Sequence, residues 1–156
     1  MDWLFVIQLV YLVFVIAPVC TLIHECGHGV GSKWTGAEKI NISVGMGKTI
    51  FSFTIHTIQF HIRTIFFIGG WTKSAGKDNL TKGQALWISF SGPLFNMLFA
   101  MLSFIPMTIH PNEFIELFFW FNVWLAAVNL VPFRIGNKYT DGYAMHETLF
   151  SRKKIE

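Results

Sequence analysis

Residues 3–23, WLFVIQLVYLVFVIAPVCTLI, run for 21 positions without a charge and with one amide, Gln8. A helix of that length is about 31 Å long, which matches a bilayer hydrocarbon core of about 30 Å. Met1-Asp2 stands in front of the run and His24-Glu25 directly behind it, without the basic leader and small-residue cleavage site of a secretory signal. The segment is therefore expected to stay in the protein as a first membrane span, with Pro18 as the position where it can bend.

The rest of the chain has the same character. Of 156 residues, 53% are hydrophobic and 13% charged, with 17 Phe and 6 Trp, where a soluble domain carries roughly 25% charged residues. So few charges cannot cover a water-facing surface, which excludes an ordinary soluble domain, and the length suits one domain, residues 1–156. A second uncharged run spans Gln84–Ile109 and carries Gly92-Pro93 and Asn96 near its start. A third, Phe114–Phe133, is interrupted by Glu116, Asn122 and Asn129, and only His110-Pro111-Asn112 separates it from the second, as a short link between antiparallel helices does.

Between the first two spans the pattern changes to alternation. Residues 40–44 (INISV) and 51–56 (FSFTIH) are rich in β-branched and aromatic residues and flank Gly45-Met46-Gly47-Lys48, which predicts a hairpin turning at 45–48. Ile58–Ile62 extends the sheet, Phe66–Ile68 with Gly69-Gly70-Trp71 dips into the interface, Thr72–Lys82 is a polar loop, and Thr140–Phe150 starts a last short helix before the basic tail Arg152-Lys153-Lys154. The expected fold is an α-helical membrane protein with three transmembrane helices, at about 3–32, 84–109 and 114–133. A membrane-associated β-hairpin or small sheet, at about 39–62, lies between the first and second.

The basic residues give an orientation. All 12 lie either in the 33–82 loop or from Arg134 onward, with none at the amino terminus or in the 110–113 link. The amino terminus is expected outside, and the loop and carboxyl end in the cytoplasm. The same distribution leaves no basic groove for nucleic acid. Cys20 and Cys26 are six residues apart on one helix, too far along it to form a disulfide.

His24-Glu25-Cys26-Gly27-His28 matches HExxH. On a helix, two histidines four residues apart face the same way and can share one zinc ion, while the glutamate between them points beside the metal as a candidate general base. Two histidines and a carboxylate at bilayer depth are costly unless paired or liganded. A third ligand is needed, and Asp141 leads the candidates because the topology puts it at the same inner end as His24 and His28, with Gly142 allowing a close turn. His56, His61, His146 and Glu147 are the alternatives. Asn96, in Ser91-Gly92-Pro93-Leu94-Phe95-Asn96, can offer its amide to a substrate backbone or a developing oxyanion, or can bond across helices; Asn129 and Pro132 pose the same choice.

HECGH, SGPLFN at 91–96 and NLVPFRIGNKYTDG at 129–142 resemble, in order and span placement, the three signatures of the M50 family, the site-2 protease-like intramembrane zinc metalloproteases. The resemblance implies that His24, His28 and Asp141 hold one zinc ion per chain and that Glu25 is the catalytic base. It also implies that Asn96 and Asn129 line the active site and that a membrane-associated sheet follows the first span. One departure is Phe133–Thr140, longer and more polar than the family's counterpart. The expected activity is zinc-dependent endopeptidase cleavage of small membrane-bound protein or peptide precursors at the cytoplasmic face, in contact with lipid and in a minimal form. Two other classes use the same residues: a catalytically inactive membrane peptide-binding or immunity protein, and a metal transporter or sensor.

Overall fold

The computed structural model describes residues 3–76, 80–136 and 138–150; the basic tail Arg152-Lys153-Lys154 lies outside them. The first span is one helical stretch, Trp3–Trp34, made of α1 (Trp3–Tyr11), a π-helical segment (Leu12–Ile16) and α2 (Ala17–Trp34). Pro18 has no amide hydrogen, and its ring crowds the carbonyl one turn earlier. The helix widens ahead of it, so that the Ala17 amide donates to Leu12 O. α2 ends two residues beyond the expected 32. Gly36, at φ 97°, and Ala37 donate back to Lys33 O and Ser32 O, the αL termination that glycine permits.

The second span, α3 (Lys82–Ile109), starts two residues earlier than expected, where Thr81 and Gln84 form a reciprocal capping box. The third, α4 (Glu113–Leu130), is capped by Asn112 and stops three residues before the expected Phe133, just ahead of Pro132. All three are long and apolar enough to cross a membrane. Their burial pattern is reversed from that of a soluble protein. Phe5, Leu98, Met101, Ile105, Trp120 and Trp124 face outward, while the buried positions include His24, Glu25, Ser91, Asn96, Ser103 and Asn122. Lipid is the solvent that this surface suits, and the polar groups are satisfied inside. Close approach of α2 to α3 depends on small residues: a Cβ at Gly27 or Gly31 would strike Ser91. Trp34 and Trp87 stack at 5.8 Å where α2 ends and α3 begins, an aromatic pair of the kind found at membrane boundaries.

The sheet differs from the expected hairpin. β1 (Lys39–Ile55) continues through Gly45-Met46-Gly47-Lys48, and the chain turns instead at His56-Thr57 before β2 (Ile58–Ala75). Gly45 and Gly47 have φ of 93° and 89° and supply bends within β1, not its reversal; a side chain at Gly45 would run into the backbone of Ile65 and Phe66. Each strand is thereby folded into two paired segments. Thr49–Ile55 pairs with Ile58–Arg63, while residues 40–44 lie between 58–62 on one side and 70–74 on the other. Residues 66–75, expected as an interfacial dip and the start of a loop, are strand, and the sheet reaches Ala75 rather than Ile62. Its final segment, Gly70–Ala75, packs along α2.

The long Phe133–Thr140 stretch holds β3 (Arg134–Ile135) and β4 (Lys138–Tyr139), paired as a small ribbon. Thr140 closes its base by donating to Val131 O and accepting from the Phe133 amide, and it also accepts from the Tyr143 amide as the N-cap of α5 (Asp141–Phe150). The added residues therefore loop out, and Asp141 returns to the end of α4. Gly142 allows that return, since a Cβ there would meet Leu130 O.

Candidate metal centre

The i, i+4 spacing puts His24 and His28 on one face of α2, and α5 delivers Asp141 to the same point. His24 Nε2 lies 3.0 Å from Asp141 Oδ2, His28 Nε2 lies 3.2 Å from Oδ1, and the two imidazole nitrogens are 3.1 Å apart. Among the described residues these three form the group able to hold a metal ion. His28 is six residues from Trp34, which places the group about 9 Å along the helix from the tryptophan pair.

Hydrogen-bond direction decides what can bind there. His24 Nδ1 is 2.6 Å from Asn96 Oδ1, and His28 Nδ1 is 2.7 Å from Ile88 O. Both partners are carbonyl oxygens that only accept, so each Nδ1 carries the proton and each Nε2 of a neutral ring presents a lone pair. Two such lone pairs and a carboxylate converge on one spot, and the buried Asp141 Oδ2 has no hydrogen bond. A cation resolves this convergence, and two imidazoles with one carboxylate suit zinc. Burial pushes the Asp141 carboxyl up, and the two imidazoles beside it outweigh burial and hold the group below its ordinary range. Asp141 is thus an anion at neutral pH, the form that ligates.

Glu25 is buried beside the two histidines. Its Oε2 accepts from Thr72 Oγ1 at 2.7 Å, and the same hydroxyl reaches Glu25 O at 3.0 Å. Gly70 lies so close that a Cβ there would be 2.8 Å from Glu25 Cγ. The carboxylate is therefore gripped by the final segment of β2. Neither Thr72 nor Gly70 stands out in sequence; the only signal is the Gly69-Gly70 pair within an alternating run. Gly92 plays the matching part on α3, where a Cβ would collide with both imidazoles.

These groups line a cleft of about 390 Å³ that also takes in Trp71, Ser74, Ser89, Asn129 and Tyr139. Asn129 is on its wall, with Nδ2 donating to Leu125 O. Asn96 is fully buried behind His24, its Nδ2 donating to Cys20 O and Asn122 Oδ1. The alternative third ligands are elsewhere. His56 is in the β-turn, and His61 lines an apolar pocket with Pro18 and Phe60. His146 packs on Phe150, and Glu147 lines a separate cleft with Arg134.

Residues 11–111 match the sequence profile of Peptidase family M50, a stretch that includes His24, Glu25, His28 and Asn96 and ends before Asp141. The chain is 30% identical over 114 residues to a provisionally named zinc metalloprotease of Helicobacter pylori strain 26695, covering 64% of this chain and 31% of that protein. Proteins similarly named in Borreliella burgdorferi and Thermotoga maritima are 30% identical over 103 residues and 26% identical over 117. They cover 53% and 65% of this chain, and 24% and 23% of their own lengths. The chain thus spans about a third or less of the relatives it matches.

Proposed function

Because the chain belongs to peptidase family M50, we propose that it is a zinc-dependent intramembrane endopeptidase acting on small membrane-bound protein or peptide precursors at the cytoplasmic face. The observation that carries this reading is the convergence of His24 Nε2, His28 Nε2 and the Asp141 carboxylate on one point beside Glu25. Those three residues would hold one zinc ion per chain. The chemistry expected of zinc at such a site is Lewis-acid polarisation of the scissile carbonyl and acidification of water.

The remaining work falls to the chain's own groups. Glu25 accepts a proton from the attacking water and delivers it to the leaving amide nitrogen. Thr72, through its hydroxyl, keeps one carboxylate oxygen turned to the strand and leaves the other for that transfer. His24 is held by Asn96, and Asn129 meets the substrate from the wall of the cleft. A helical substrate must unwind before its peptide bonds are accessible. The Gly70–Ser74 segment, which borders the cleft and pairs with β1 on its other side, offers main-chain groups to an unwound strand.

Elemental analysis of detergent-purified protein should find one zinc per chain, lost when His24 and His28 are both replaced by Ala; a content unaffected by those changes would refute the site. The orientation predicts that a cysteine at exposed Lys39 stays unlabelled by an impermeant maleimide in sealed cells and reacts after permeabilisation. Labelling above the native-cysteine background before permeabilisation would invert the topology.

A further inference from the structure

Asn122, midway along α4, has no place in the HExxH or in the cleft, yet it is fully buried at bilayer depth. A buried amide in an apolar span is retained only where its partners are satisfied. We propose that Asn122 is a positioning residue which, through Asn96, sets the ring tautomer of His24 and so aims its Nε2 lone pair at the metal. The inference rests on the reading of His24 as a metal ligand.

The direction of each bond follows from the one before it. Asn122 Nδ2 is 2.9 Å from Phe118 O and 3.1 Å from Cys20 Sγ. A main-chain carbonyl only accepts, so the Asn122 amide can be oriented in one way, with Oδ1 facing Asn96. That oxygen accepts from Asn96 Nδ2 at 2.8 Å, and Asn96 Nδ2 also donates to Cys20 O at 3.1 Å. Asn96 is thereby oriented as well, and its Oδ1 faces His24 Nδ1 at 2.6 Å. With the proton held at Nδ1, Nε2 is left bare. If the Asn122 acceptor is removed, Asn96 keeps one partner for Nδ2 where it had two, and its flipped form, which would present a donor to His24 Nδ1, becomes less costly. A flipped Asn96 stabilises the tautomer whose Nε2 carries hydrogen and cannot ligate.

The test uses the full chain in detergent, with Zn²⁺ affinity measured by competition with a chromophoric chelator and ligand geometry by the Co²⁺ absorption spectrum. Asn122→Leu should weaken Zn²⁺ binding about 10- to 100-fold, the usual effect of losing a group that orients a ligand, and should shift the Co²⁺ bands. Asn96→Leu should do the same. The double variant should bind within about twofold of Asn96→Leu, because Asn122 acts through Asn96. Asn122→Ala is the second variant if Asn122→Leu does not yield folded protein, and it carries the same expectation.

Unchanged affinity and spectrum in the folded fraction, even with a lower yield, would overturn the inference and reduce Asn122 to a helix-packing residue. Losses that multiply in the double variant would overturn it too. Failure of the unaltered chain to bind Zn²⁺ would instead bring down the metal site itself, and this inference with it.

Discussion

Replacing Glu25 with Gln should abolish peptide hydrolysis while zinc stays in place. Glu25 lies between His24 and His28 in sequence, but the three groups that converge are the two imidazoles and Asp141. Glu25 stands beside them, held by Thr72 at 2.7 Å. Glutamine keeps the shape and can still take a hydrogen bond from that hydroxyl, so the cleft should survive the change. What is lost is the ability to accept and pass on a proton, typically worth 10²–10⁴-fold in rate. Cleavage of a tethered model substrate in membranes, followed beside zinc content, measures both. His24→Ala should lose zinc and activity together. Full cleavage by Glu25→Gln with zinc bound would overturn the proposed mechanism and return weight to a peptide-binding or metal-transporting protein, neither of which needs a base at this position.

Gly92→Ala should cost nearly as much by another route. The added methyl would occupy space against His28 Nε2 and Cε1 and lie 2.9 Å from His24 Nε2. Both rings are held from behind by Asn96 and Ile88 O, so they cannot give way without breaking the bonds that set their tautomers. Displacing a backbone instead would disturb the contact of Ser91 with Gly27 and Gly31. Overpacking of this kind costs about 1–3 kcal/mol, and disturbing the groups that orient metal ligands lowers metal affinity about 10- to 100-fold. Zinc content and chelator competition on the purified variant check this expectation. Wild-type zinc affinity would show that the rings have room that the geometry denies them.

How much was legible in sequence followed the range of the interactions concerned. HECGH is local: one helix and a spacing of four bring both imidazoles to one side. Gly92 is visible in sequence as a missing side chain within a span, though what approaches it is not. Asp141 followed from topology, since charge distribution and span count put it at the same end as His24. The sheet itself was legible between the first two spans, but its turn was misplaced because Gly45-Met46-Gly47-Lys48 has the chemistry of a turn while His56-Thr57 does not. The first bends a strand that remains paired, and the second turns with His56 at φ 52°, a conformation more usual for glycine or asparagine. Thr72 and Gly70 were invisible as partners of Glu25, because that contact depends on β2 running on to Ala75 past the expected end of the sheet. Asn122 registered only as an interruption of a span, because its meaning lies in a bond from another helix.

His24 and Asp141 lie near opposite ends of the chain, one in the first span and the other in α5. An ion held by both would therefore also tie α5 to the first span. In an unfolded chain free in water, closing a loop of about 100 residues is worth about 4.7 kcal/mol when done covalently, and less where a bilayer already confines the helices. The ribbon β3–β4 and the Thr140 cap join α5 to α4 by a short base, and α5 packs against α3, so such an ion would add a tie from α5 to α2. Zinc depletion is then expected to loosen α5 from α2 as well as to remove the proposed activity.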